Sequence, residues 1–168
     1  IMETEWTLVQ PSMPEMEIEE VVDLEKSLRT LLANTVTISL RAQGYHWNVR
    51  GIHFAAYHKL FGDIYEDIHE SIDPTAEWLR KLEYEAPYTL GEFMNDRDIE
   101  EPIKQISLAM QIQTLLQGIE QLAECTEHCL EVATQEDEQG LINFLGGRID
   151  MLEKWEWQLN TSVNEGFM

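Results

Sequence analysis

His46 and His58 stand twelve residues apart, and Asp73 and Glu77 follow them down the chain. Two imidazoles and two carboxylates form a donor set that suits iron(II) or zinc. Asp73 and Glu77 are one helical turn apart, so both carboxylates can reach one cation. His58 precedes Asp73 by fifteen residues, which is about 22 Å along a helix axis. One cation cannot bridge that gap within one chain. The same four residues also fit a plainer description, as helix-end histidines and a solvated acidic face.

The elements that must position them are helices. Apolar residues recur at helical spacing along four long stretches, 17–45, 53–82, 101–134 and 141–159. The second carries the stripe Tyr57, Leu60, Phe61, Ile64, Ile68, Ile72, Ala76 and Leu79. Pro74 lies inside it and predicts a kink, not a break, because the stripe stays in phase on both sides. Residues 83–101 hold Pro87, Gly91 and a polar NDRDIEE run, with LGEFM as a candidate short helix. Residues 1–16 carry Pro11 and Pro14 and read as an extended or partly disordered arm; 17–168 reads as one domain. Strand signals are absent. The expectation is an all-α four-helix bundle with a long crossover between its second and third helices, the topology of ferritin-like folds.

Helical geometry then places the donors. Relative to Phe61, His58 lies at about 60°, His69 at about 80°, Asp73 at about 120° and Glu77 at about 160° around the second helix. They form a polar seam beside the apolar stripe, facing solvent or a second subunit. WNVRG reads as the turn that ends the first helix and brings His46 back toward His58. An antiparallel two-fold dimer would set the histidines of one chain against Asp73 and Glu77 of the other, giving two identical sites across one interface.

Charge restricts the partners. The chain of 168 residues has 32 acids against 11 lysines and arginines, a net −21. Such a surface repels nucleic acid phosphates and attracts cations. No basic residue occurs before Lys26 or after Lys154, so neither end reads as a basic tail. No apolar run reaches the roughly 20 residues of a membrane span. The acidic first twenty residues lack the pattern of a secretory signal. Cys125 and Cys129, one turn apart, do not form a disulfide framework, and a reduced cytoplasmic location is expected.

The motif HWNVRGIHFAAYH, followed fifteen residues after His58 by DPTAE, resembles the Dps family, the mini-ferritins. Their signature H-W-x-x-R-G-x-x-F-x-x-x-H and then D-x-x-x-E is met at His46, Trp47, Arg50, Gly51, Phe54, His58, Asp73 and Glu77. The likeness continues through AEWLRKLEYEAPYTLGEF and GGRIDMLEKWEWQL and covers roughly residues 20–160. It implies a hollow shell of twelve subunits, with ferroxidase centres at two-fold interfaces. There His46 and His58 of one subunit and Asp73 and Glu77 of another would hold iron. Fe(II) would be oxidised by hydrogen peroxide or dioxygen and stored as ferric mineral, protecting against oxidative stress. Trp47 sits where a family tryptophan flanks the centre and is a candidate electron donor. Glu131, Glu136, Asp137 and Glu138 fall in the region that lines three-fold iron-entry pores in the family; a solvated helix-start cluster fits them equally.

The family's DNA protection often uses a basic tail, which is missing from this pattern. A shell of twelve would carry about −250, opposing DNA binding. A DNA-compacting protein and a shell that holds zinc without turnover are the alternatives. His69 departs from the family, which usually has a small residue there; it reads as a supplementary ligand, a partner to a ligand, or an interface histidine. Glu66-x-x-His69 resembles half of the di-iron pattern of larger ferritins, but the second half is missing because Cys125 precedes His128 by three. Cys125, His128 and Cys129 read as packing and surface residues, His53 as structural, and the tryptophans other than Trp47 as bundle filling.

Overall fold

The structure is a computed structural model and describes residues 23–104 and 107–165. The arm expected over 1–16, and the expected start of the first helix at 17, lie outside the described residues. The elements are α1 (Leu24–Asn48), α2 (Phe54–Glu70), α3 (Ile72–Lys81), α4 (Leu90–Asp96), α5 (Leu108–Gln135) and α6 (Gln139–Glu165). No strand occurs among the described residues.

Local chemistry sets most of the boundaries. Asp23 caps α1, its carboxylate accepting from the Lys26 amide at 2.7 Å, an arrangement worth about 1 kcal/mol. Ser107 caps α5 by accepting from the Met110 amide. Helix α4 is the short helix expected at LGEFM. It opens on a capping box between Thr89 and Glu92. The Thr89 hydroxyl and backbone and the Tyr88 amide all donate to the Glu92 carboxylate and hold it below the usual carboxylate range.

Besides the end of α1, three boundaries differ clearly from the sequence expectation. The second helical stretch is interrupted at Ser71, whose amide reaches back three residues to Ile68 O at 3.2 Å. Pro74 has no N–H to offer Glu70, and it stands within the first turn of α3, where that loss is tolerated. Ser71 keeps helical dihedrals (φ −80°, ψ −11°), so the chain kinks and the phase is carried through. Helix α5 begins at Leu108, seven residues later than the periodicity suggested, where Ser107 supplies the cap; residues 101–104 take no regular secondary structure. Helix α6 outruns its expected end and reaches Glu165.

Contacts between the helices give their directions. Ser39 of α1 lies against His69 and His46 against His58, so α1 and α2 are antiparallel. Asn34 meets Cys125, and Arg41 and Tyr45 meet Thr114, so α1 and α5 are antiparallel too. Helices α2 and α5 therefore run parallel, and only a connection as long as the bundle can join them. That crossover is strapped to α1. The Arg29 guanidinium pairs with Asp96 at 2.9 Å, Asn34 Oδ1 accepts from the Asp98 and Ile99 amides, and Arg41 donates to Glu100 O at 2.8 Å. Gly118 lets α5 approach α1, since a Cβ there would collide with the Arg41 guanidinium and Ile38.

The core runs down the bundle through Leu28, Leu32, Ile38, Phe61, Ile64, Ile68, Leu79, Ile112, Ile119 and Leu145, all fully buried. Each such side chain stabilises by ~1.5–3 kcal/mol, whereas an exposed pair such as Lys59–Asp63 contributes ~0–1 kcal/mol. Apolar periodicity, not the abundant charge, therefore holds the bundle together.

Candidate metal centre

The α1–α2 corner brings the two histidines together. His46 lies in the last turn of α1, which continues to Asn48, past the expected end near Tyr45 and into the WNVRG segment read as a turn. The Asn48 amide side chain donates to Gly44 O and the Val49 amide to Tyr45 O, closing that end. Gly51, at φ 105°, turns the chain, and His53 begins α2.

His46 Nδ1–H donates to His58 O at 2.6 Å, and His58 Nδ1–H donates to His46 O at 2.8 Å. A carbonyl only accepts, so each Nδ1 carries a proton, and the neutral form of each ring has its lone pair on Nε2. The rings stack with centroids 3.8 Å apart and 19° between planes, and Phe54 stacks on the other face of His58 at 4.9 Å. Both imidazoles are half-buried. Backbone carbonyls holding Nδ1 while Nε2 stays free is the arrangement that orients histidine toward a metal.

Gly62 is the residue that sequence reasoning missed. A Cβ at that position would lie 2.9 Å from His46 Nδ1 and 3.0 Å from Cε1. The ring cannot yield without losing its bond to His58 O. Gly62→Ala is expected to keep the helical circular dichroism spectrum while weakening metal binding by about 10-fold or more; unchanged Co(II) affinity would show that His46 does not need this seat. The only signal in the sequence was a glycine inside an otherwise continuous helical stripe.

Asp73 and Glu77 are exposed on α3, and His69 and Glu66 are exposed on the same side of α2. The structure does not bring these carboxylates to the histidine pair. Among the described residues, no three His, Cys, Asp or Glu side chains gather closely enough to hold a metal ion. One chain presents an imidazole pair at the corner and, apart from it, a carboxylate pair on α3. Trp47 is 63 % exposed beside the histidines.

The remaining candidates are dispersed. Glu131, Glu136 and Asp137 are exposed and Glu138 is half-buried around the α5–α6 turn, where Asp137 takes φ 58°. His128 lies 4.0 Å from Glu131 on the surface. His53 is exposed and stands edge-on to Tyr57. Trp157, expected to fill the bundle, is 66 % exposed, because it lies two residues from both Trp155 and Leu159 and so nearly opposite the buried α6 stripe. Burial pushes the Cys125 thiol up to about 11 and, with Cys125 as neighbour, the Cys129 thiol up to about 12. At pH 8 the more acidic of the two is roughly 1 part in 1,000 thiolate. Both are expected to resist a disulfide reagent in the folded protein and to react at once after denaturation, as a thiol titration would show.

A two-fold clamp outside the centre also escaped the sequence. Arg148 of α6 pairs with Asp67 of α2 through two bonds of 2.9 Å, and Trp155 Nε1–H donates to Asp67 at 2.8 Å. It ties α6 to the helix that carries His58.

The profile of the ferritin-like domain matches residues 25–166. The chain belongs to the ferritin-like family. Within it the likeness is to Dps proteins. A Dps protein of Vibrio cholerae, described as a member of the ferritin-like diiron-carboxylate superfamily, superposes with a TM-score of 0.78 at 29 % identity, covering 82 % of this chain and 87 % of that one. Dps from Thermosynechococcus elongatus has the same fold, with a TM-score of 0.82 at 20 % identity over 85 % and 91 % of the two chains. A curated relative, the DNA protection during starvation protein of Helicobacter pylori, is 24 % identical over 81 % of this chain and 95 % of its own length. The all-α ferritin-like bundle expected from periodicity is thus the fold observed. Among the described residues, no helix of this ferritin-like chain is long and apolar enough to cross a membrane.

Proposed function

We propose that this chain is a cytoplasmic mini-ferritin that oxidises Fe(II) at centres shared between two subunits and stores the ferric product in a shell of twelve. The observation that carries the reading is the reciprocal pair of imidazole–carbonyl bonds, which leaves two Nε2 lone pairs free at the α1–α2 corner. A solvated helix-end histidine has no need of that fixation. The second support is the separation of this pair from the exposed Asp73 and Glu77. A two-fold partner running antiparallel would place each half-site against its complement.

The substrate is the metal. Neutral imidazole and carboxylate together hold Fe(II) and also tolerate the higher charge of Fe(III). Two ferrous ions giving one electron each to hydrogen peroxide would reduce it to two hydroxides, with no hydroxyl radical released. Trp47, exposed beside the histidines, is placed to give an electron if only one iron is present. The net charge of −21 favours cation entry and opposes DNA compaction, although a relative bears a DNA-protection name. Zinc fits the same donors and would act as an inhibitor of iron entry.

The test is Fe(II) addition to the assembled protein under argon, in air, and with peroxide, following ferric absorbance and particle mass. The expected result is oxidation at least about 10-fold faster than in protein-free buffer, with iron eluting inside a shell-sized particle. Oxidation no faster than the buffer control would remove the catalytic reading.

A further inference from the structure

We propose that His69 supplies a third imidazole to the shared centre, on its carboxylate side. The inference rests on the two-subunit reading above and adds a donor to it. His69 lies in the last turn of α2, four residues before Asp73. Because Ser71 keeps helical dihedrals, the phase crosses the kink, and residues 69, 73 and 77 stay on one face at intervals of one turn. All three are exposed.

His69 is nevertheless held in place. Its Nδ1 lies 3.5 Å from Oγ of Ser39, a residue of α1 that is 4 % exposed. Its ring leans on Tyr65, with centroids 5.5 Å apart and 47° between planes. These contacts take one ring nitrogen and one ring face. Nε2 sits on the opposite edge of the ring, and the residue as a whole is exposed. An imidazole so fixed, one turn from a carboxylate, makes a two-donor chelate for a divalent transition metal. It gives the carboxylate side of the shared centre a nitrogen of its own, which joins the site when the histidine pair of the other subunit completes it. The complete centre then has three imidazoles where the four-residue set has two.

The probe is Co(II) alone, added without oxygen to the assembled protein, with affinity read by titration and nitrogen count by X-ray absorption and the visible Co(II) bands. His69→Ala is expected to weaken Co(II) about 10-fold or more and to remove one imidazole from the absorption signature. His46→Ala/His58→Ala is expected to remove two. An unchanged affinity and nitrogen count in His69→Ala, while His46→Ala/His58→Ala and Asp73→Ala/Glu77→Ala lose binding, overturns the role of His69 and leaves the shared centre standing. Undiminished Co(II) binding in either of those double variants overturns the shared centre, and His69 with it.

Discussion

Asp73→Ala/Glu77→Ala should lower the rate of protein-dependent Fe(II) oxidation at least about 100-fold, since losing even an outer partner of a metal ligand costs 10–100-fold in affinity or activity. Both side chains are exposed on α3, so the fold should survive. His46→Ala/His58→Ala should be as inactive, for the complementary reason. The decisive measurement mixes the two dead proteins. If each centre takes its histidines from one subunit and its carboxylates from the other, dissociating and reassembling an equal mixture rebuilds intact centres. Random pairing makes half of the dimers mixed, and each mixed dimer has one good site of two, so about a quarter of the wild-type activity returns. A centre confined to one chain would recover nothing. The experiment therefore separates a shared site from an internal one without any structure of the assembly.

Asp67→Asn should destabilise the fold strongly for a single polar substitution. The Asp67 and Arg148 side chains are 18 % and 15 % exposed, and Arg148 would be left charged, buried and unpaired. Breaking such a pair costs about 3 kcal/mol, or about 6–12 °C in Tm for a domain of this size. The comparison must be made at equal protein concentration, since assembly adds its own stability. Burial alone would raise the Asp67 carboxyl, but the hydrogen bonds from Arg148 and Trp155 and the charges of Arg148 and Lys154 outweigh it and hold the group below its ordinary value. A depressed folded value means that the stabilisation is fully present above the unfolded pKa of about 3.9 and is lost as pH falls through the lower folded value. The difference between wild type and Asp67→Asn should stay constant from pH 7 to pH 5 and shrink below about pH 4. A constant difference down to pH 2, read by thermal melts, would show that packing and not charge explains the loss. Because the clamp anchors the helix that carries His58, the variant should also lose metal affinity near its melting range.

Some of this was legible in the amino-acid sequence and some was not. Periodicity alone marked the helices, the long crossover and the short helix within it, because a helix repeats every 3.6 residues whatever it packs against. Helix ends were less legible. The Ser107 cap set the start of α5, and Ser71 took the interruption next to Pro74, because boundaries depend on which backbone groups find partners. The donors His46, His58, Asp73 and Glu77 could be picked by type, and helical rise alone showed that one straight helix cannot gather them. That His46 and His58 lock each other through backbone carbonyls was not legible, since it depends on how closely two helices meet at a corner, and on Gly62 leaving room. Nor was the Asp67–Arg148–Trp155 clamp, which joins residues more than eighty positions apart. Local period and donor chemistry are properties of the chain, so the sequence by itself determined the bundle and the candidate donors. Ring orientation, the free Nε2 edges and the clamp arise from distances between helices, and only the tertiary structure decided those.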